Sequence, residues 1–193
     1  SLTEQFVSML ITILSILGAI PTLIFVLKLN GEEKRNRTED LLANAVSRNR
    51  IIGSYTFIGV IAALLIQIVS LLGLWSASKF VMDEVIPFST FLKAGLVHIP
   101  AIWVMIGVVV FLIGYLPRLT GLAWAYLGYS FFVGYLGDML KLPDWMRNLS
   151  PFGHVPQIPM EDINMVKLSV LILIALLLVI AGFIGYNKRD IEG

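Results

Sequence analysis

Apolar residues run along this chain in five long blocks separated by polar stretches. A membrane span needs about 20 such residues, within a range of roughly 17 to 25. The pattern predicts spans at residues 6–29, 51–75, 92–116, 122–136 and 166–186. Pro21 is an expected kink in the first, to be accommodated by neighbouring helices. The second ends on Trp75, an aromatic at the expected interface, and its single polar side chain, Gln67, prefers the bundle interior to lipid. In the third, Lys93 and His98 stand near the start and Pro100 one turn further in. The fourth is short and rich in Tyr, Trp and Gly; Gly121, Gly128, Gly134 and Gly137 would let another helix approach closely, or simply reflect the glycine content of membrane helices.

The polar stretches carry the organisation. Residues 31–50, GEEKRNRTEDLLANAVSRNR, hold five of the fourteen basic and four of the thirteen acidic residues. Thr38 can cap a short helix there, with Glu39 and Asp40 in its first turn and Arg48 near its last, an order that suits the helix dipole. Leu41, Leu42, Ala45 and Val46 then fall on one side, making an amphipathic piece of about ten residues at the membrane surface. The plainer alternative is a solvated loop with one helical turn. Residues 76–91 read as a loop with a short interfacial helix. Residues 138–165 form a long connection whose prolines 143, 151, 156 and 159 argue against a continuous helix.

Composition agrees with spans. The chain is 58% hydrophobic and 14% charged, with mean hydropathy +0.87; a soluble domain carries about 25% charged residues. An all-α polytopic bundle is the predicted fold class, as one transmembrane domain. Net charge of +1 and the lack of a basic tract give no sign of nucleic-acid binding. With no cysteine, disulfides and thiol chemistry are excluded, and two histidines are too few for a His-rich metal cage. The chain starts at Ser1 without Met or a cleavable signal, so a piece of a longer protein is expected. Five spans put the ends on opposite sides. Nine basic residues (Lys28, Lys34, Arg35, Arg37, Arg48, Arg50, Arg118, Lys188, Arg189) then share the side of residues 31–50, against five (Lys79, Lys93, Lys141, Arg147, Lys167) on the other. The positive-inside rule places residues 31–50, the 117–120 turn and the C-terminus in the cytoplasm, and the Pro-rich connection outside.

Catalytic patterns are missing from the sequence. It has no phosphate-cradling G-x-x-x-x-G-K-[ST], no H-E-x-x-H and no G-x-S-x-G. Tyr135-Leu136-Gly137-Asp138 resembles the G-x-G-D of intramembrane aspartyl proteases, but Tyr135 replaces the first Gly and no second span carries an Asp for a carboxylate pair. Asp138 reads better as the outer end of the fourth span. His98 and His154 could bind metal or sense pH, although a satisfied interfacial histidine is the commoner outcome. Gln67, Trp124 and Tyr129 are candidates to line a substrate path; Lys93 is close enough to the interface to snorkel.

The run Glu39-Asp40-Leu41-Leu42-Ala43-Asn44-Ala45-Val46-Ser47-Arg48 resembles the E-x-L-L-A-x-P-V-S-R stretch of type-2 ATP-binding-cassette exporter permeases, with Ala45 where Pro is usual. Leu142-Pro143-Asp144-Trp145 and Ser150-Pro151-Phe152-Gly153-His154-Val155-Pro156 are similar to the outer loop of the polyketide-antibiotic, or tetronasin-resistance, exporters of that family; the closing Arg189-Asp190 also fits. The resemblance covers nearly the whole chain. It implies the C-terminal part of a permease in the bacterial plasma membrane whose halves have six spans each, with the first span of this half missing here. It implies a coupling helix docked on a separate cytoplasmic ATPase, which would hold the ATP and Mg, so the chain itself would be no enzyme and carry no cofactor. Leu41, Leu42, Ala45 and Val46 would supply the buried contact, at about 1.5–3 kcal/mol per large side chain, with Glu32, Glu33, Glu39 and Arg48 setting register. Trp145, Pro151, Phe152, His154 and Pro156 would belong to an outer gate closed by re-entrant helices. A second permease half and the bilayer are the other implied partners, and an amphipathic or hydrophobic compound the implied cargo. The alternative class is a membrane-embedded enzyme or a non-transporting, lipid-binding accessory protein.

Overall fold

The computed structural model describes residues 1–35, 37, 40, 43 and 45–189. Helices α1 (Leu2–Lys34), α2 (Arg48–Val81), α3 (Phe88–Leu96), α4 (Ile99–Tyr115), α5 (Leu122–Leu136), α6 (Asp144–Asn148) and α7 (Met165–Lys188) follow in order. Short 3₁₀ turns lie at Pro117–Leu119 and Pro151–His154, and the described residues contain no strand. Among the described residues, four helical stretches are long and apolar enough to cross a membrane: α1, α2, α3 with α4, and α7. They form a transmembrane helical bundle. At 1.5 Å per residue, the 15-residue α5 spans only about 22 Å, short of the roughly 30 Å hydrocarbon core.

Two predicted spans are longer than the apolar pattern suggested. The 33 residues of α1 and the 34 of α2 make rods of about 50 Å. The 76–91 loop therefore shrinks: α2 continues to Val81, and only residues 82–87 separate it from α3. Lys79 packs over the Trp75 ring at 3.5 Å, and the Trp75 indole donates to the Ile86 carbonyl, so the last turns of α2 have partners that hydropathy does not register. Pro21 stays inside α1, on an exposed face.

The third span is broken at Val97–His98. Pro100 lacks the N–H that would bond the Leu96 carbonyl, and sits instead near the start of α4, where that loss is harmless. The His98 amide bonds back to Gly95 at 3.1 Å in a tighter turn.

The core is seamed by glycine, though not where the sequence pointed. Around Gly121 and Gly128 a Cβ would meet nothing within 4 Å, and at Gly134 only Ile16 at 3.7 Å; Gly137 abuts its own preceding helix. The close approach is instead between α4 and α7, the most extensive helix pair among the described residues. A Cβ at Gly114 would lie 2.2 Å from the Gly182 carbonyl oxygen, and one at Gly182 2.5 Å from that of Val110. Gly107 and Gly114 are seven residues apart, as are Ala175 and Gly182, so backbone faces backbone at two levels one heptad apart.

Candidate functional site

One end of the bundle gathers the described residues of 31–50, the 117–120 turn and the end of α7. Asn30, buried in the last turns of α1, donates to the Pro117 carbonyl at 3.1 Å and the Thr120 hydroxyl at 3.3 Å. Arg48 reaches across to the carbonyls of Tyr186 (3.2 Å), Asn187 (3.3 Å) and Arg189, a cation on the open carbonyls of a helix C-terminus. Arg189 in turn donates to the Glu33 carboxylate at 2.5 Å and the Ile113 carbonyl at 3.1 Å.

This geometry redistributes the expected coupling residues. Glu32 lies in the last turn of α1 and pairs with the exposed Arg37 at 3.1 Å. Glu33, 3% exposed, faces the bundle interior rather than a surface. Arg37, Asp40 and Ala43 are helical, whereas Glu39, Leu41 and Leu42, with the Thr38 cap, lie outside the described residues. The short helix does not run on to Arg48. Ala45 takes φ 61°, a left-handed value that ends a helix. Val46 then turns to pack against the core, and Ser47 caps α2 by accepting from the Arg50 amide at 3.2 Å. Ala45 and Val46 thus leave the face that helical spacing gave them, and Arg48 opens α2.

The suggested path residues do not converge. Gln67 is 2% exposed; its amide donates to the Ser15 hydroxyl at 2.7 Å and the Gly95 carbonyl at 2.8 Å, joining α2 to α1 and to the break in the third span. Trp124 is half-buried in the first turn of α5, and the Tyr129 hydroxyl donates to the Met146 carbonyl at 2.6 Å, tethering the connection that precedes α7 alongside Tyr126, which donates to Leu149. Gln67→Leu leaves no acceptor orphaned, because Gly95 keeps its bond from His98 and Ser15 still donates to Ile11. We therefore expect a loss of about 1 kcal/mol, seen as a small drop in the unfolding temperature, with transport unaltered. A large transport defect at native stability would return Gln67 to the cargo path.

What the structure does offer is a cavity of about 660 Å³ between α1, α5 and the connection that precedes α7. Phe6, Met9, Val133, Met139 and Phe152 make much of its wall; Gln5, Thr12, Gln157 and the Asp138–Arg147 ion pair give it polar edges. Of the five expected gate residues only Phe152 lines it. Pro151 and Pro156 are buried, His154 donates through Nε2 to the Asn148 carbonyl at 2.8 Å, and Trp145 is 62% exposed. The 138–164 connection holds two short helical pieces, α6 and the following 3₁₀ turn, whose Ser150 cap accepts from the Phe152 amide. Behind the cavity, His98 donates from Nδ1 to the Ala94 carbonyl at 2.8 Å and meets the Thr12 hydroxyl with Nε2 at 3.1 Å, a satisfied histidine. Ser8, Thr12 and Ser15 were readable as a stripe at i, i+4 and i+7 on α1. Nothing in the spacing pointed to the Glu33–Arg189 pair, which joins residues 156 apart.

Two comparisons with known proteins agree. The family described as multidrug efflux system permease Rv1217c, C-terminal domain, matches residues 1–187. The multidrug efflux system permease protein Rv1217c of Mycobacterium tuberculosis is 28% identical over 195 residues, which cover 100% of this chain and 35% of that protein. The chain therefore spans about a third of that relative's length.

Proposed function

The chain belongs to the family of the multidrug efflux system permease Rv1217c, C-terminal domain, and from that premise we propose that it is the C-terminal membrane part of an ATP-driven exporter of amphipathic or hydrophobic compounds. It is a bacterial membrane protein and the C-terminal part of a permease of the ATP-binding-cassette type. Residues 31–50 would dock on a separate cytoplasmic ATPase that holds ATP and Mg, and the C-terminus would share that side. A second permease half, on the same chain or a copy, would complete the pathway.

The observation that carries this reading is the cavity under the outer loop. Methionines 9, 139 and 160 line it, and thioether side chains adapt to many apolar shapes. The Asp138–Arg147 pair at its edge offers both signs of charge to a polar head. Apolar walls with a few polar groups suit ligand binding, and this lining fits an amphipathic cargo on its way out.

Gly134→Phe tests it. Gly134 lines the cavity, and a Cβ there has space to its one neighbour. The ring would fill part of the cavity from a helix that need not move. With the full-length permease and its ATPase in vesicles, using ethidium as the probe, we expect efflux to fall at least tenfold while the complex still assembles. Native efflux through a filled cavity would remove the cavity from the path.

A further inference from the structure

We propose that Glu33, Arg189 and Arg48 are positioning residues of the transport cycle: they clasp the last helix to the base of the 31–50 segment, so that a displacement of that segment is carried into α7 and α4. The proposal rests on the reading above that the ATPase acts on residues 31–50.

Four helix ends meet in the clasp. Arg189 holds Glu33 of α1 and the Ile113 carbonyl of α4 at once. Arg48, the first residue of α2, holds carbonyls at the end of α7, and Asn49 beside it accepts from Asn187. The two long helices that bracket the docking segment are thus both tied to α7. The glycine seam then makes α7 and α4 one body, because backbone against backbone leaves no side chains to yield. The charge chemistry favours position over stability. Glu33 is buried next to the buried Tyr186, whose ring lies under the Arg189 guanidinium and whose hydroxyl neighbours the Glu33 carboxylate. A buried ion pair adds little net stability over apolar side chains, yet it fixes one register, since separating the charges is expensive. A strut that must hold register under load has that need.

The test reads movement and requires no knowledge of the cargo. This chain has no cysteine of its own; with any cysteines in the rest of the permease and in the ATPase replaced by Ser, spin labels are placed at Phe80→Cys and Met165→Cys, both exposed, at the far ends of α2 and α7. In the full-length permease with its ATPase, pulsed electron resonance gives their separation before and after vanadate traps the nucleotide. We expect trapping to shift the native distance, Arg189→Gln to remove at least half of that shift, and Arg189→Lys, which keeps the charge, to retain most of it. If Arg189→Gln does not fold, Arg48→Gln, which leaves the Glu33–Arg189 pair in place, carries the same expectation. A native-sized shift in the Gln variants, or equal losses in Lys and Gln, overturns the clasp. So does a native complex that hydrolyses ATP with no shift. A native permease that binds no ATPase overturns the functional reading, and the clasp with it.

Discussion

Gly182→Leu is expected to cost the bundle about 3 kcal/mol or more, the upper end of what overpacking does, and to leave little of the permease as a single species in detergent. The reason is what the new atoms meet. A Cβ alone would lie 2.5 Å from the Val110 carbonyl oxygen and 2.6 Å from its carbon. Neither atom can rotate away as a side chain could. Opposite, Gly114 is just as tight against Gly182, so α7 can only move off α4 as a whole. That separation would strip contacts from buried Val110, Ile113 and Leu171 together. Thermal unfolding of the full-length permease, followed by size-exclusion profile, is the check. Gly128→Ala is the control: nothing lies within 4 Å of its Cβ position, and a helical Gly→Ala change is worth up to about 1 kcal/mol in favour. A Gly182→Leu protein that melts with the native one would show that the α4–α7 seam is not what holds the bundle.

Leu41→Asp with Leu42→Asp is expected to abolish stable association with the ATPase. Burial of a leucine contributes about 1.5–3 kcal/mol, so losing two weakens binding at least a hundredfold, before the cost of burying two carboxylates. Co-purification of the full-length permease with its ATPase, followed by ATP hydrolysis, reads both consequences. The double variant should insert normally, since neither residue falls within a predicted span. If a well-folded double variant holds the ATPase and hydrolyses ATP as before, residues 31–50 are a loop and the coupling mechanism is wrong.

The spans were the most legible part of the chain, because a membrane helix is specified by an uninterrupted run of apolar residues. The bounds 122–136 coincide with those of α5, although that helix by itself is shorter than the hydrocarbon core, and 166–186 lies within one or two residues of α7. Boundaries went astray where polar side chains continue a helix beyond the apolar run. Lys79 resting on Trp75 lets α2 extend to Val81, and Glu32 and Glu33 belong to α1 because Arg37 and Arg189 take up their charge. Pro100 marked the third span as unusual, but only the fold shows that the break lies before it and that Gln67 bonds the Gly95 carbonyl there.

The candidate site was legible as a segment and opaque as a surface. Periodicity put Leu41, Leu42, Ala45 and Val46 on one face by assuming that the helix continues. The left-handed Ala45 ends that assumption, since a single reversed residue redirects everything after it. The cavity had no sequence signature: α1, α5 and the connection that precedes α7 contribute to it from residues 2 to 160.

By itself the sequence determined that this is a membrane protein, how many apolar runs it has, where its charged segment lies and which family it belongs to. Each of these is a local or additive property of residue type, so no knowledge of contacts is needed. The tertiary structure alone decided which glycines touch, which polar side chains meet and where space is left. Gly114 and Gly182 bear against each other while Gly121 and Gly128 face nothing, and the amino acid is the same in all four. Glu33 and Arg189 are charged residues like any others until the fold buries the first, half-buries the second and sets them 2.5 Å apart. Such facts depend on which helices are neighbours, and packing over long sequence separations chooses the neighbours.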